Sequence, residues 1–91
     1  MTSKLVELFG DSYKCKITDL FIRNPDEEFL LHQVMIHAEV ALRVSAERHI
    51  TKLLHNNIVM QRPYVEFNEN VLIYRLNKDN AIVKMLIAIN E

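Results

Sequence analysis

From Phe29 to Val59 the chain runs without a single glycine or proline. Apolar residues recur in that stretch at Leu31, Met35, Ala38, Leu42, Ala46, Ile50 and Leu53. Steps of three or four residues bring such positions to one face of a helix. Arg43, Glu47, Arg48, Thr51, Lys52 and His55 fall off that face, toward solvent or a partner. Periodicity alone draws one helix from about Leu30 to Asn56, about 40 Å long at the usual rise per residue. A chain of 91 residues cannot cover such a rod, so this version needs a partner chain. A second apolar stripe, at Ile36, Val40 and Val44, asks for one as well. The alternative is two shorter helices with a turn between them.

The segments before this stretch are helical in pattern. Thr2 or Ser3 can cap a short helix over residues 2–9 carrying Leu5, Val6, Leu8 and Phe9, with Gly10 at its end. Two turns do not hold themselves together in water, so that helix must dock on the rest. Asp11 and Ser12 offer caps for a second helix, Tyr13 to Arg23. Its inward stripe is Tyr13, Ile17, Leu20 and Phe21, with Lys14, Lys16 and Asp19 outward. Asn24-Pro25 stops it, because a residue before proline avoids the helical region. The acidic run Asp26-Glu27-Glu28 then suits the positive end of a following helix.

Beyond Val59 the period changes. Ile58–Phe67 and Val71–Tyr74 are rich in Val, Ile, Tyr and Phe in near-alternation, with turn-forming Asn68-Glu69-Asn70 between them. This predicts a β-hairpin, with Pro63 marking an edge or irregular strand. Asn77 to Asn80 ends the hairpin and caps a last helix, about Ala81 to Ile89. Only Lys84 in that helix clearly needs water. A helix apolar nearly all round is buried on more than one side. The expected covers are the N-terminal helix and a second subunit, which makes Leu5, Leu8, Phe9, Ile82, Met85, Leu86 and Ile89 the candidate dimer interface.

Composition narrows the class. Hydrophobic residues make up 49% of the chain and charged residues 25%, a globular balance. Residues 1–91 are expected to form one domain with a limited core, which an oligomer would help. Net charge is −1. Between His37 and Arg62, Arg43, Arg48, Lys52 and Arg62 outnumber Glu39 and Glu47, a mild local positive excess. Cys15 is the single cysteine, which excludes an intrachain disulfide and fits a reducing cytosol. The opening MTSKLVELFG lacks the apolar run of a secretory leader, and no stretch approaches a membrane span. The expected location is the cytoplasm.

Catalytic and metal chemistry find little support. His32 and His37 are five apart and His49 and His55 six apart, whereas two ligands on one helix face need a spacing of four. No metal or other cofactor is expected. Ser45 and His49 are four apart and within reach of each other on a helix. A nucleophile also needs an orienting third residue and an oxyanion hole, and neither is visible, so no enzymatic activity is expected.

The order of elements resembles the winged helix-turn-helix DNA-binding domains of small archaeal and bacterial transcription regulators. The resemblance is carried by LFGDSYKCKITDLFIRNPDEEF, RHITKLLHNNIV and YRLNKDNAIVKML. It implies an α+β fold, mainly helical, with a winged-helix core over residues 12–77 and a dimerisation helix over residues 80–91. It also implies two helices, about Leu31–Ala38 and Arg43–His55, with a turn over Glu39–Leu42. By the same resemblance the second is a recognition helix that enters the major groove of double-stranded DNA. The implied contacts are Arg43, Val44, Ser45, Glu47, Arg48, Thr51 and Lys52, joined by Arg62, Asn68 and Asn70 from the wing. Asn57 stands where the family usually has Gly, and Asn is the next most tolerant of a left-handed turn.

Several positions depart from the family pattern. Val40 and Leu42 stand where a turn glycine and a Ser or Thr cap are usual, and Val at positive φ is an outlier. Leu30 also falls at a cap position. Glu47 either accepts from cytosine or pairs with Arg43 one turn back. The wing tip carries Glu69 and no Lys or Arg. Apolar Leu30, Ile36, Val40 and Val44 point to an alternative function, a winged-helix protein-interaction module that has lost DNA binding.

Overall fold

The chain does bend between His37 and Arg43. The computed structural model describes residues 12–90, in which α1 (Tyr13–Arg23), β1 (Glu28–Leu30), α2 (Leu31–His37), α3 (Arg43–His55), β2 (Val59–Glu66), β3 (Glu69–Leu76) and α4 (Ala81–Asn90) follow in order. The expected helix over residues 2–9 lies outside those residues. The fold is α+β, four helices against a three-stranded antiparallel sheet of order β1-β3-β2.

Local chemistry explains most helix boundaries. Ser12 Oγ accepts the Cys15 N–H at 3.3 Å at the start of α1. Asn24 Nδ2 donates to the Leu20 carbonyl at 2.8 Å at its end. Asp19 was expected outside but is buried. Its carboxylate is tied to Arg23 Nε at 2.7 Å, and an opposite charge one turn on offsets the cost of leaving water.

The acidic run does not lead straight into a helix. Glu28, Phe29 and Leu30 form a short strand against Arg75, Tyr74 and Ile73 of β3. Phe29 turns inward and meets Phe21 edge to face, ring centroids 5.6 Å apart. Leu30, expected on an exposed patch, is buried. It is the residue before α2 and offers no acceptor, but Gln33 Oε1 reaches back to its N–H at 2.8 Å.

The turn between α2 and α3 rules out the continuous rod. Val40 N–H donates to the Met35 carbonyl at 2.9 Å and Glu39 N–H to Ile36 at 3.3 Å. This is the double closure that ends helices in a left-handed residue. The left-handed residue is Glu39, φ 57°, so Val40 is not the strained position expected. Val40 instead drops into the core. The same closure ends α3: Ile58 N–H reaches Leu53 and Asn57 N–H reaches Leu54, with Asn57 at φ 56° as the sequence suggested.

The hairpin is longer than predicted and turns earlier. Val59 pairs with Leu76, and Glu66 with Glu69. Phe67 and Asn68 make a two-residue turn, both at positive φ, the twist-matched geometry of tight hairpins. The turn was expected over Asn68–Asn70. Burial of Val59 and Leu76 at the other end sets the register, and a one-residue slip would turn those side chains outward. β1 reaches only as far as Ile73, so the distal hairpin projects beyond the three-stranded part of the sheet.

The core joins Ile17 and Phe21 of α1, Val34 of α2, Ala46, Ile50 and Leu53 of α3, Val59 and Leu76 of the sheet, and Val83 of α4. An asparagine cluster ties the ends of three elements together. Asn80 Oδ1 caps α4 through the Ile82 N–H at 2.7 Å, while its Nδ2 donates to the Asn56 and Asn57 carbonyls at 3.1 and 3.0 Å. Asn77 Nδ2 also reaches the Asn57 carbonyl, at 2.9 Å.

Candidate functional site

α3 is held by one face and open on the other. Ala46, Ile50 and Leu53 are buried, while Arg43, Val44, Glu47, Arg48, Thr51, Lys52 and His55 are exposed. Ser45 is half-buried at the edge of that strip. Arg43 Nε donates to Glu47 Oε1 at 2.8 Å, the intrahelical pairing weighed above, so these two charges largely cancel. Arg48 and Lys52 make no ion pair among the described residues. Thr51 Oγ1 donates to the Glu47 carbonyl at 2.8 Å.

His49 fastens α3 to α1. Its Nε2 lies 2.9 Å from Thr18 Oγ1. That hydroxyl donates its one proton to the Lys14 carbonyl at 3.0 Å, so it must accept from Nε2–H. His49 Nδ1 is then bare and buried with no hydrogen-bond partner. Burial, with help from the Lys14 and Lys52 charges, pushes the His49 pKa below its ordinary value. The pairing with Thr18 leaves no Ser45–His49 dyad.

Arg62, expected at DNA, grips Glu28 by two bonds, Nε to Oε2 at 2.6 Å and Nη2 to Oε1 at 2.7 Å. Its guanidinium also lies 5.7 Å from the Tyr64 ring centroid. The pairing holds the Glu28 carboxyl below the usual carboxylate range. Asn68 and Asn70 are exposed at the free end of the hairpin. A groove opens between α3 and the hairpin, with Thr51 and Leu54 on one wall and Pro63, Glu66, Glu69 and Leu72 on the other. Arg43 and Glu47 of α3 line it as well, and Glu66 and Glu69 make no ion pair among the described residues.

Among the described residues, apolar side chains are exposed on α4, on the hairpin and beside the α2–α3 turn. Ile36 and Leu42 are each 69% exposed and Val44 63%, all beside the α2–α3 turn. Ile82, Met85 and Ile89 are exposed on α4, with Leu86 half-buried and packed against the core. Phe67, which the sequence reading passed over, is 92% exposed at the hairpin tip. Alternation did not foretell this, since Phe67 has the parity of the buried Val59, and its exposure follows from its place in the turn.

Among the described residues no group of three or more His, Cys, Asp or Glu side chains could hold a metal ion, and no helix is long and apolar enough to cross a membrane. The chain matches no protein-family model and no curated protein. It is similar to a solved structure described as a possible transcriptional regulator from Methanosarcina mazei Go1, with a TM-score of 0.68 at 17% sequence identity. The match covers 84% of this chain and 63% of that one, and at that identity the likeness is one of fold.

Proposed function

We propose that the chain is a winged helix-turn-helix protein that binds double-stranded DNA as a homodimer in the cytoplasm and regulates transcription, with no catalytic role. The observation that carries this is the open strip of α3, with Arg48 and Lys52 exposed and unpaired, on a helix fixed by its opposite face. Arg48 is suited to bidentate contact with guanine and Lys52 to phosphate. Val44, Ser45 and Thr51 are within the same strip or at its edge, and Arg43 joins it by giving up Glu47. Arg62 is tied to Glu28, so contact is carried by α3 rather than by the hairpin. Subunits would join through Ile82, Met85, Leu86 and Ile89 with Leu5, Leu8 and Phe9, placing two α3 helices on successive major grooves of a near-palindromic site. The name of the Methanosarcina mazei neighbour supports the regulatory part.

Selection against random duplex DNA should yield such a site. Arg48→Glu should then weaken binding about tenfold or more with the oligomeric state unchanged. A variant that shifts the selected DNA in a gel as well as the parent would remove α3 as the reading element. A second reading, a protein-interaction module, is favoured by Ile36, Leu42 and Val44, whose exposure on the same side suits a partner surface. Salt titration separates them. Direct DNA binding gives a linear fall of log affinity with log salt; a module without DNA binding gives none even at low salt.

A further inference from the structure

Charge is shared unevenly between the two flanks of α3. On the α1 flank, Lys14 and Lys52 are exposed and make no ion pair among the described residues. Lys14 is stapled to α3. Its carbonyl accepts from the Thr18 hydroxyl at 3.0 Å, and that hydroxyl lies 2.9 Å from His49 Nε2. Its Nζ is 5.9 Å from the Tyr13 ring centroid, and the Tyr13 ring meets the His49 ring edge to face with centroids 6.4 Å apart. The Lys14 and Lys52 charges both reach His49 and help to lower its pKa. On the hairpin flank the balance reverses. Arg43 is cancelled by Glu47 and Arg62 by Glu28. No Lys or Arg occurs from Pro63 to Tyr74, while Glu66 and Glu69 make no ion pair among the described residues. A polyanion beside α3 is drawn to the first flank and repelled by the second.

We infer that the protein grips one sugar-phosphate strand of the duplex along the α1–α3 seam, between Lys14 and Lys52, and holds the hairpin off the DNA. The inference rests on α3 as the DNA-reading element and adds Lys14, on a different helix, as a positioning residue. Asn68 and Asn70 then make no DNA contact. The Thr18 staple fixes the backbone at Lys14 before binding, so less order has to be gained on association. Lys14 meets phosphate only and is blind to base sequence.

Salt titration of the full chain tests this, on the duplex recovered by selection and on a scrambled duplex of equal length. Lys14→Gln should lose roughly threefold or more in affinity on both duplexes and lower the slope of log affinity against log salt by about one. Lys14→Arg keeps the charge and should restore the slope. Both variants should keep the urea midpoint of the parent, since the side chain is exposed. At about 0.15 M salt, where exposed charges beyond about 8 Å are screened, the double variant Glu66→Gln, Glu69→Gln should bind within about twofold of the parent. A parent that binds neither duplex would end the DNA reading and the seam contact with it. A parent that binds, with its slope unchanged by Lys14→Gln, would leave that reading in place and overturn the seam contact alone. A hairpin double variant with a clear gain in affinity at that salt would bring the hairpin to the phosphates and overturn its stand-off.

Discussion

Glu39 is the residue on which the α2–α3 bend turns, and it adopts φ 57° with a Cβ that resists that conformation. Its carboxylate is largely exposed and 4.0 Å from Lys16 Nζ, a pairing worth little in water. Glu39→Gly should therefore raise stability by about 1 kcal/mol, read as a higher urea midpoint at unchanged slope. His49 makes a second prediction at this scale. Its folded pKa is depressed below 6.5, so the unfolded chain takes up the proton first and stability rises with pH across that window. Stability should be insensitive to His49 above about pH 6.5 and fall as pH drops toward the folded value. His49→Gln should flatten that part of the profile, measured by urea denaturation at a series of pH values. The direction of burial at His49 was not legible beforehand, because its partner Thr18 lies thirty-one positions away. Asp19 escaped for a similar reason: only packing shows that Arg23 accompanies it inward.

At the scale of elements, boundaries written in local chemistry were readable. The Tyr13–Arg23 helix follows from Ser12 and Asn24-Pro25, and the end of α3 from Asn57. Asn80 was recognisable as a cap but not as a clamp, since its bonds to the Asn56 and Asn57 carbonyls depend on how two helix ends meet. Asn80→Ala should cost about 2 kcal/mol, a lost cap plus the Asn56 carbonyl deprived of its donor, while the Asn57 carbonyl keeps the bond from Asn77. Calorimetry should show the drop in melting temperature, with helical circular dichroism before the transition little changed. β1 was missed because three residues carry too little alternation to announce a strand. The hairpin turn was misplaced because Asn68, Glu69 and Asn70 are all turn formers, and the choice among them belongs to the distant Val59–Leu76 pair.

For the whole molecule, the feature that bears on assembly is the exposed apolar face of α4. Met85 is 64% exposed and Ile82 53%, on a helix whose other side is anchored by Val83. A second copy of the chain is the proposed cover. Met85→Glu should then shift the mass in light scattering from dimer to monomer. It should also weaken DNA binding, because two linked half-sites bind far more tightly than one. A parent chain that is already monomeric at micromolar concentration would end the homodimer proposal while leaving the α3 surface intact. The candidate site was partly legible: the outward strip of α3 follows from a spacing of three and four, and the Arg43–Glu47 pair from a spacing of four. The Arg62–Glu28 pair was not legible, because Glu28 lies in a different strand across the sheet.

By itself the sequence determined the helical stripes and the caps at Ser12 and Asn80, because these depend on residues within a turn of one another, and the left-handed Asn57 came from the family resemblance. It left one helix or two undecided between Leu30 and Asn56, since both versions bury the same periodic face. Tertiary structure made that choice. Bending at Glu39 lets Val40 enter the core and brings Ala46 and Ile50 onto α1. That burial is made within one chain and offsets the strain at Glu39, whereas a straight rod would have needed a second chain to cover the same face.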